Sequence, residues 1–181
     1  SEVICGDKIF FVDDASLFTF GVLTSTMHNA WMRYTCGRLK SDYSYSNTIV
    51  YNNFPWPGFA GEPLSDKHRH AIKQAAQCVL DARAQFADSS LADLYDPLTM
   101  PPALLKAHQK LDTAVDAAYQ PSGGKKTYAS DAERVVFLFE LYQRITSFLP
   151  APVVKKSSFA VTIGSHSSIL CFPQTPLAWA M

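Results

Sequence analysis

Lys40 and Asp42 carry opposite charges two residues apart, with only the small Ser41 between them. In the DNA major groove a lysine donates to guanine O6 and N7, and an aspartate accepts from cytosine N4. In an extended segment these two side chains would project on the same side and could enter one groove together. The pattern therefore suits a pair that reads both bases of one G·C pair, but on spacing alone a solvated surface ion pair is the favoured interpretation.

Five more side chains near this pair are of types that commonly contact DNA phosphates: Arg33, Arg38, Tyr43, Tyr45 and Ser46. Phosphate contacts fix the register of a protein on the duplex but carry no sequence information. If Lys40 and Asp42 recognise bases, these five residues are therefore the candidates for contacts to the DNA backbone.

Catalytic and metal-binding patterns are the other chemistry to consider, and the sequence has no phosphate-binding loop, dinucleotide fingerprint, zinc-protease helix or nucleophile elbow. His68 and His70 lie two apart at a helix start and point to different faces, so we expect solvated side chains. His28 and His108 are predicted to be structural histidines. Cys36 has basic neighbours that could lower its pKa but no identifiable base. No catalytic residue and no metal site is predicted.

The segment Asn53-Phe54-Pro55-Trp56 has some likeness to the Asn-Pro-Pro-aromatic motif with which amino-methyltransferases hold an adenine. Phe54 replaces the first proline of that motif, so the backbone geometry that would grip an exocyclic amine is not specified. We interpret the segment as an ordered aromatic-proline turn that seats one domain on the next.

The elements that must position these residues begin with short strands at Val3–Ile4 and Ile9–Val12. A helix capped by Asp13 or Asp14 should follow and end at Gly37, because one apolar stripe is formed by Leu17, Phe20, Met27, Trp31 and Tyr34. A polar run, residues 40–47, and a short strand around Thr48–Tyr51 are predicted next.

Three amphipathic helices that share one core are predicted after Ser65. Prolines 101 and 102 open the second helix, and a capping box of Ser130 and Glu133 opens the third. A short helical turn is expected at Leu91–Leu98 and a flexible loop at Gln120–Lys126. The inward face of the third helix should comprise Val135, Leu138, Phe139, Tyr142, Ile145 and Leu149.

The predicted fold class is mainly α with a small β part (α+β). We place the distal part of one domain at residues 1–60, a helical bundle at 61–150 and an atypical tail at 151–181. Residues 157–181 contain no Asp, Glu, Lys or Arg. The tail could form a hairpin from Phe159–Ile163 and Ser168–Phe172, or it could be a non-native end, and the sequence leaves both open.

Composition limits the function classes. Charged residues make up 18% of the 181 residues and cancel to a net charge of zero, so the strongly basic surface of a free-standing nucleic-acid binder is missing and any DNA contact must be local. The four cysteines lie far apart, which predicts reduced thiols and a cytoplasmic protein. No apolar run is long enough to span a membrane.

The chain resembles MmeI-like enzymes, single-chain type II restriction-modification proteins that methylate adenine in a short asymmetric DNA site. The central motif is Cys36-Gly37-Arg38-Leu39 followed by Lys40-Ser41-Asp42. The match continues through Tyr45-Ser46-Asn47, the segment 51–57, Leu94-Tyr95-Asp96-Pro97, Met100-Pro101, Ala107-His108, Leu111-Asp112 and Val115-Asp116. It covers most of residues 18–149.

This resemblance implies that Lys40 and Asp42 specify the last base pair of the site, here G·C. It identifies the chain as a C-terminal piece, the end of a target-recognition domain plus a C-terminal helical domain, that recognises and positions DNA without catalysis. The expected partners are double-stranded DNA and the parent's methyltransferase and nuclease domains, with no membrane, in the bacterial cytoplasm. The parent would use S-adenosylmethionine to methylate adenine N6, and Mg²⁺ if it cleaves DNA.

The alternative function is a helical protein-interaction module without DNA binding. The neutral net charge favours this alternative.

Overall fold

The computed structural model describes residues 10–12, 15–59, 63–148 and 170–172. It confirms a mainly α chain with a small β part. The helices are α1 (Leu17–Thr24), α2 (Thr26–Thr35), α3 (Asp66–Ala84), α4 (Leu91–Leu94), α5 (Pro102–Tyr119) and α6 (Asp131–Phe148). The strands are β1 (Phe10–Val12), β2 (Gly37–Leu39), β3 (Asp42–Ser44) and β4 (Leu170–Phe172).

The single helix predicted before Gly37 is wrong, because the chain forms two helices that meet at Ser25. Ser25 has an extended backbone (φ −71°, ψ 157°), and its hydroxyl accepts from His28 N to cap α2. Ser16 caps α1 in the same way by accepting from Thr19 N. The predicted caps, Asp13 and Asp14, lie outside the described residues.

The end of α2 also differs from the prediction. Cys36 follows the helix with an extended backbone (φ −72°, ψ 154°), so Gly37 begins a strand and does not cap a helix. Tyr34, placed in the apolar stripe by its spacing, lies in the last turn of α2 and is 59% exposed. Met27 and Trp31 are buried as predicted.

Helix α1 lies at the centre of the molecule, against α3 and α5. Gly21 allows the close approach, because a Cβ there would lie 2.9 Å from Ile72 Cγ2 and 3.2 Å from both Ala76 Cβ and Leu111 Cδ1. Helix α2 packs mainly against α6 and also touches α5. Consequently the three predicted helices do share a core, but α1 and α2 complete it.

This one cluster of buried apolar side chains runs through both parts of the chain, across the aromatic-proline turn. Trp31 is 2% exposed, and its ring centroid lies 5.0 Å from that of Phe139 and 6.1 Å from that of Tyr142, both on α6. Tyr119 on α5 donates to the Pro55 carbonyl at 2.9 Å. The aromatic-proline turn is therefore fastened to the helices that follow it.

Several local predictions need correction. The strand expected at residues 48–51 is instead a π-helical turn, Asn47–Tyr51. Ser46 caps this turn by accepting from Ile49 N. The loop expected at Gln120–Lys126 begins with a 3₁₀ turn, Gln120–Ser122, and a left-handed Gly123. Glu133 N does donate to Ser130 Oγ, but the Glu133 carboxylate accepts from Ala129 N. The short helical turn before Pro97 is confirmed.

The face that α6 buries also differs in part from the expected one. Phe139 is 40% exposed, whereas Phe137 and Leu141, which were not expected inside, are buried. Leu149 lies outside the described residues.

The strands form two small antiparallel pairs. Strand β1 pairs with β4, with Phe10 opposite Phe172, so the described part of the strand expected at Ser168–Phe172 pairs with β1. Val3–Ile4 and Phe159–Ile163 lie outside the described residues. Among the helices that the structure describes, none is long and apolar enough to cross a membrane.

Candidate nucleic-acid interface

Lys40 and Asp42 lie on a hairpin that projects from the end of α2, which we call the β2–β3 hairpin (residues 37–44). Leu39 pairs with Asp42 across it, so Lys40 and Ser41 are the two residues of a tight turn. The predicted extended segment is therefore wrong: Lys40 stands at the tip, and Asp42 starts the returning strand. Both side chains still lie at the same end of the hairpin.

The side chains of Lys40 and Asp42 are exposed, and neither has a hydrogen bond or ion pair to any residue that the structure describes. In particular, they do not pair with each other. The surface ion pair that spacing alone favoured is thus not formed. Both charges are available to an external partner.

Arg38 and Tyr43 face each other across the hairpin, on the side opposite to Leu39 and Asp42. The Arg38 guanidinium lies over the Tyr43 ring, 4.4 Å from its centroid, and Nη2 donates to the Tyr43 hydroxyl at 3.2 Å. Tyr43 is half-buried against the core, whereas Leu39 is 73% exposed. The hairpin therefore rests on its Tyr43 side and presents Asp42 outward.

The backbone of Lys40 is strained. Its φ of 57° lies in the left-handed region. Among the described residues, the only others with a positive φ are two glycines, Gly58 and Gly123. A left-handed conformation costs a residue with a Cβ roughly 1 to 2 kcal/mol, and glycine or asparagine relieves that cost. A lysine kept at a position that suits glycine points to a role for its ammonium group.

We predict that Lys40→Gly makes the hairpin more stable while it removes the charge. The strain at the tip disappears, so the amides of residues 37–44 should exchange with solvent about fivefold more slowly. Hydrogen exchange measures this directly. Ser41→Gly is the matched control: Ser41 does not have a positive φ, so glycine there should speed the exchange. Faster exchange in Lys40→Gly would show that the tip is not strained.

The segment that follows the hairpin is tied to α2 by two hydrogen bonds. The Tyr45 hydroxyl and His28 Nε2 lie 3.1 Å apart, and Trp31 Nε1 donates to the Val50 carbonyl at 3.0 Å. His28 is confirmed as a structural histidine: it is 2% exposed, and burial lowers its pKa to about 3. The spacing of His28 and Trp31 on one helix face could have suggested a shared role, but their partners could not be predicted from it.

Carboxylates from two later helices hold both ends of α2. Asp112 on α5 accepts from Thr26 N and from Thr26 Oγ1, each at 2.7 Å. Asp131, at the start of α6, accepts from Arg33 Nη1 at 2.5 Å. Neither anchor was predicted from the sequence. A polar Asp112 inside the apolar stripe of α5 was the available signal.

The other sequence candidates have structural roles or none. His108 is hydrogen-bonded to the Tyr95 hydroxyl at 2.6 Å, and its pKa falls to about 4 because of burial and the Arg83 charge. Burial raises the pKa of Cys36, although Arg38 opposes the shift, so a reactive thiolate is not favoured. His70 is exposed. In the described ranges no three His, Cys, Asp or Glu side chains converge as metal ligands.

Comparisons with known proteins match the chain in two consecutive parts. Residues 1–58 match the model of the MmeI target recognition domain, and residues 64–150 match that of the MmeI C-terminal domain. The chain is 39% identical over 146 residues to DNA methyltransferase A of Bacillus subtilis (strain 168), covering 81% of this chain and 16% of that protein.

The fold is similar to a solved structure of the Type IIL restriction-modification enzyme MmeI in complex with DNA. The TM-score is 0.67 at 50% identity, over 74% of this chain and 17% of that one. The chain thus spans about a sixth of the length of the relatives it matches.

Proposed function

Since the chain belongs to the MmeI-like restriction-modification family, with a target recognition domain followed by a C-terminal domain, we propose that its β2–β3 hairpin reads one base pair of a DNA site. The observation that carries this proposal is the pair of unpartnered charges, Lys40 and Asp42, at the exposed end of the hairpin. A two-stranded β-ribbon fits the major groove of B-DNA.

In the proposed contact, the Lys40 ammonium donates to guanine O6 and N7, and the Asp42 carboxylate accepts from N4 of the paired cytosine. The two bases of one pair lie side by side on the groove floor, so the two ends of a tight turn can reach both. The predicted base pair is therefore G·C. Because Lys40 and Asp42 have no described partner to lose, binding breaks no internal ion pair.

Phosphate contacts in this proposal come from the Arg38 and Tyr43 stack, which lies beside the tip and carries an exposed guanidinium. The three other predicted phosphate contacts involve side chains bound to residues outside the hairpin: Arg33 to Asp131, Tyr45 to His28, and Ser46 to the π-helical turn. The bond between Arg38 and Tyr43 instead stays within the hairpin, so we assign the backbone contact to Arg38 and Tyr43 and not to Tyr45.

The methyl transfer would belong to the whole protein. We propose that recognition of the site presents one adenine, outside the duplex, to a methyltransferase domain that uses S-adenosylmethionine. The residues of this chain would contribute recognition and orientation to that reaction, and Mg²⁺ would be needed if the same protein also cleaves DNA.

Selection from randomised duplexes tests the proposal. The full-length protein should enrich one short motif that contains a G·C pair, and its affinity should fall as salt rises, because phosphate contacts release counterions. Arg38→Gln should weaken binding to all duplexes and reduce the salt slope by about one. The absence of salt-dependent binding would support the alternative of a protein-interaction module, whereas binding without any enriched motif would contradict base readout.

A further inference from the structure

Tyr45 and His28 form a polar link between the segment just after the returning strand of the hairpin and the first turn of α2. Tyr45 immediately follows β3, and its hydroxyl lies 3.1 Å from His28 Nε2. His28 lies in the first turn of α2, and its ring packs edge-on against Phe54 with centroids 4.6 Å apart. The outgoing strand needs no such link, since it continues from α2 itself.

A polar side chain at the buried position of His28 destabilises the fold, and its bond to Tyr45 is the only evident use of that polarity. His28 Nδ1 is buried and has no hydrogen-bond partner within the described part of the chain. A buried ring nitrogen without a partner destabilises the fold, so an apolar residue would fill this place at lower cost. The hydrogen bond to Tyr45 is the only described interaction that an apolar residue could not make.

We propose that His28 and Tyr45 are positioning residues for base readout: their hydrogen bond sets the angle at which the hairpin presents Lys40 and Asp42 to DNA. This inference rests on the proposed function. Neither residue needs to touch a base or a phosphate. Their effect is on which sequence is bound, while the affinity for DNA in general comes from other residues.

The distance between Tyr45 and Asp42 explains why the link would affect sequence discrimination and not the general affinity for DNA. Asp42 lies three residues from Tyr45, which corresponds to about 10 Å along a strand. A tilt of about 10° at Tyr45 would therefore move Asp42 by almost 2 Å, whereas base-edge hydrogen bonds tolerate only a few tenths of an ångström. Phosphate contacts by a long, flexible Arg38 would adapt to the same tilt. Loss of the link should therefore lower discrimination and leave non-specific binding unchanged.

The bond is also constant over the usual pH range. Burial keeps His28 neutral because it lowers the pKa to about 3, and burial raises the pKa of Tyr45, so the phenol keeps its proton. The hydrogen bond between Tyr45 and His28 therefore does not depend on pH in this range.

Tyr45→Phe in the full-length protein tests the inference, because only the hydroxyl is lost. We measure affinity for the selected duplex and for the same duplex with the one G·C pair changed. The ratio of the two affinities should fall about fivefold, which corresponds to the net contribution of one hydrogen bond. Non-specific affinity and its salt dependence should stay the same. Tyr34→Phe is the matched control, since Tyr34 is 59% exposed and should leave the ratio unchanged.

Two further variants separate positioning from stability. His28→Gln places an amide donor near the position of Nε2 and should keep most of the ratio, whereas His28→Leu should lower the ratio as Tyr45→Phe does. An unchanged ratio in both Tyr45→Phe and His28→Leu, with only a lower Tm, would overturn the inference. Equal weakening for every duplex would overturn it too, because that result indicates a direct phosphate contact. The proposed function fails separately, if the unaltered protein shows no preference at all.

Discussion

Exchange of the two charges at the hairpin tip, Lys40→Asp together with Asp42→Lys, is expected to turn the preferred G·C pair into C·G at one position of the recognised site. The positions of the lysine and the aspartate are then exchanged, so the lysine meets a guanine and the aspartate a cytosine only when the base pair is reversed. Each such contact is worth about 1 to 3 kcal/mol of discrimination, so the preference should move by roughly 100-fold or more.

The fold should tolerate this exchange. Asp adopts the left-handed conformation of residue 40 more readily than Lys does, and both side chains are exposed without a described partner. The pair Lys40→Arg and Asp42→Glu is the matched control, because it conserves the sign of each charge and should keep G·C. Sequencing of the duplexes selected by the full-length protein reads out both variants. An unchanged motif after the exchange would remove Lys40 and Asp42 from base recognition.

Local signals in the sequence predicted the helices well but not the way they join. Periodic apolar residues defined α3 and α5, since their buried faces repeat along one side of a helix. The break at Ser25 was missed because the stripe continues through it, and only the capping hydrogen bond to His28 N reveals a second start. The cap at Ser16 shows that α1 begins after the two acidic residues that were predicted to cap it.

At the candidate site, too, the residue types could be predicted from the sequence, but the way they are arranged could not. Residue types identified Lys40 and Asp42, and a family resemblance gave them a role, but the tight turn between them was not foreseen, because Lys-Ser is not a usual turn sequence. The anchors from Asp112 and Asp131 join residues 86 and 98 positions apart in the chain. Such long-range pairs depend on how helices pack, which one sequence does not reveal.

A buried ion pair between α5 and α6 gives the second large effect. Asp116 is 4% exposed, and Arg134 Nη2 donates to its Oδ2 at 3.1 Å. The other carboxylate oxygen, Oδ1, and Arg134 Nε have no partner in the described part of the molecule. Burial raises the pKa of Asp116 to about 6, Arg134 opposes that shift, and Asp112 adds to it. The carboxylate is therefore held in its charged form at neutral pH mainly by one arginine.

The raised pKa fixes the direction of the pH dependence. Asp116 binds its proton more tightly in the folded chain than in the unfolded chain, where the pKa is about 3.9. Its contribution to the free energy of unfolding is therefore fully present below about pH 4 and is lost as the pH rises through about 6. Removal of Arg134 would raise the folded pKa further, so the charged carboxylate would cost more at high pH and little at low pH.

Arg134→Met should accordingly lower the free energy of unfolding by about 3 to 5 kcal/mol at pH 8, the range for a buried charge left alone. At pH 5 the loss should be much smaller, because Asp116 takes up a proton. Adding Asp116→Asn should restore most of the stability at pH 8. Denaturant unfolding followed by tryptophan fluorescence is a suitable measurement, since one of the three tryptophans, Trp31, is 2% exposed beside α6.

Lys125→Met provides the comparison on the surface. Lys125 also pairs with a carboxylate on α6, that of Glu133, but its side chain is 62% exposed, so water stabilises the remaining charge and no measurable change in Tm is expected. If Arg134→Met lowered stability equally at pH 5 and pH 8, its role would be packing against Tyr128, over whose ring the guanidinium lies at 5.2 Å, and not charge neutralisation. The difference between the two pH values therefore measures how strongly the fold depends on one arginine to keep Asp116 ionised.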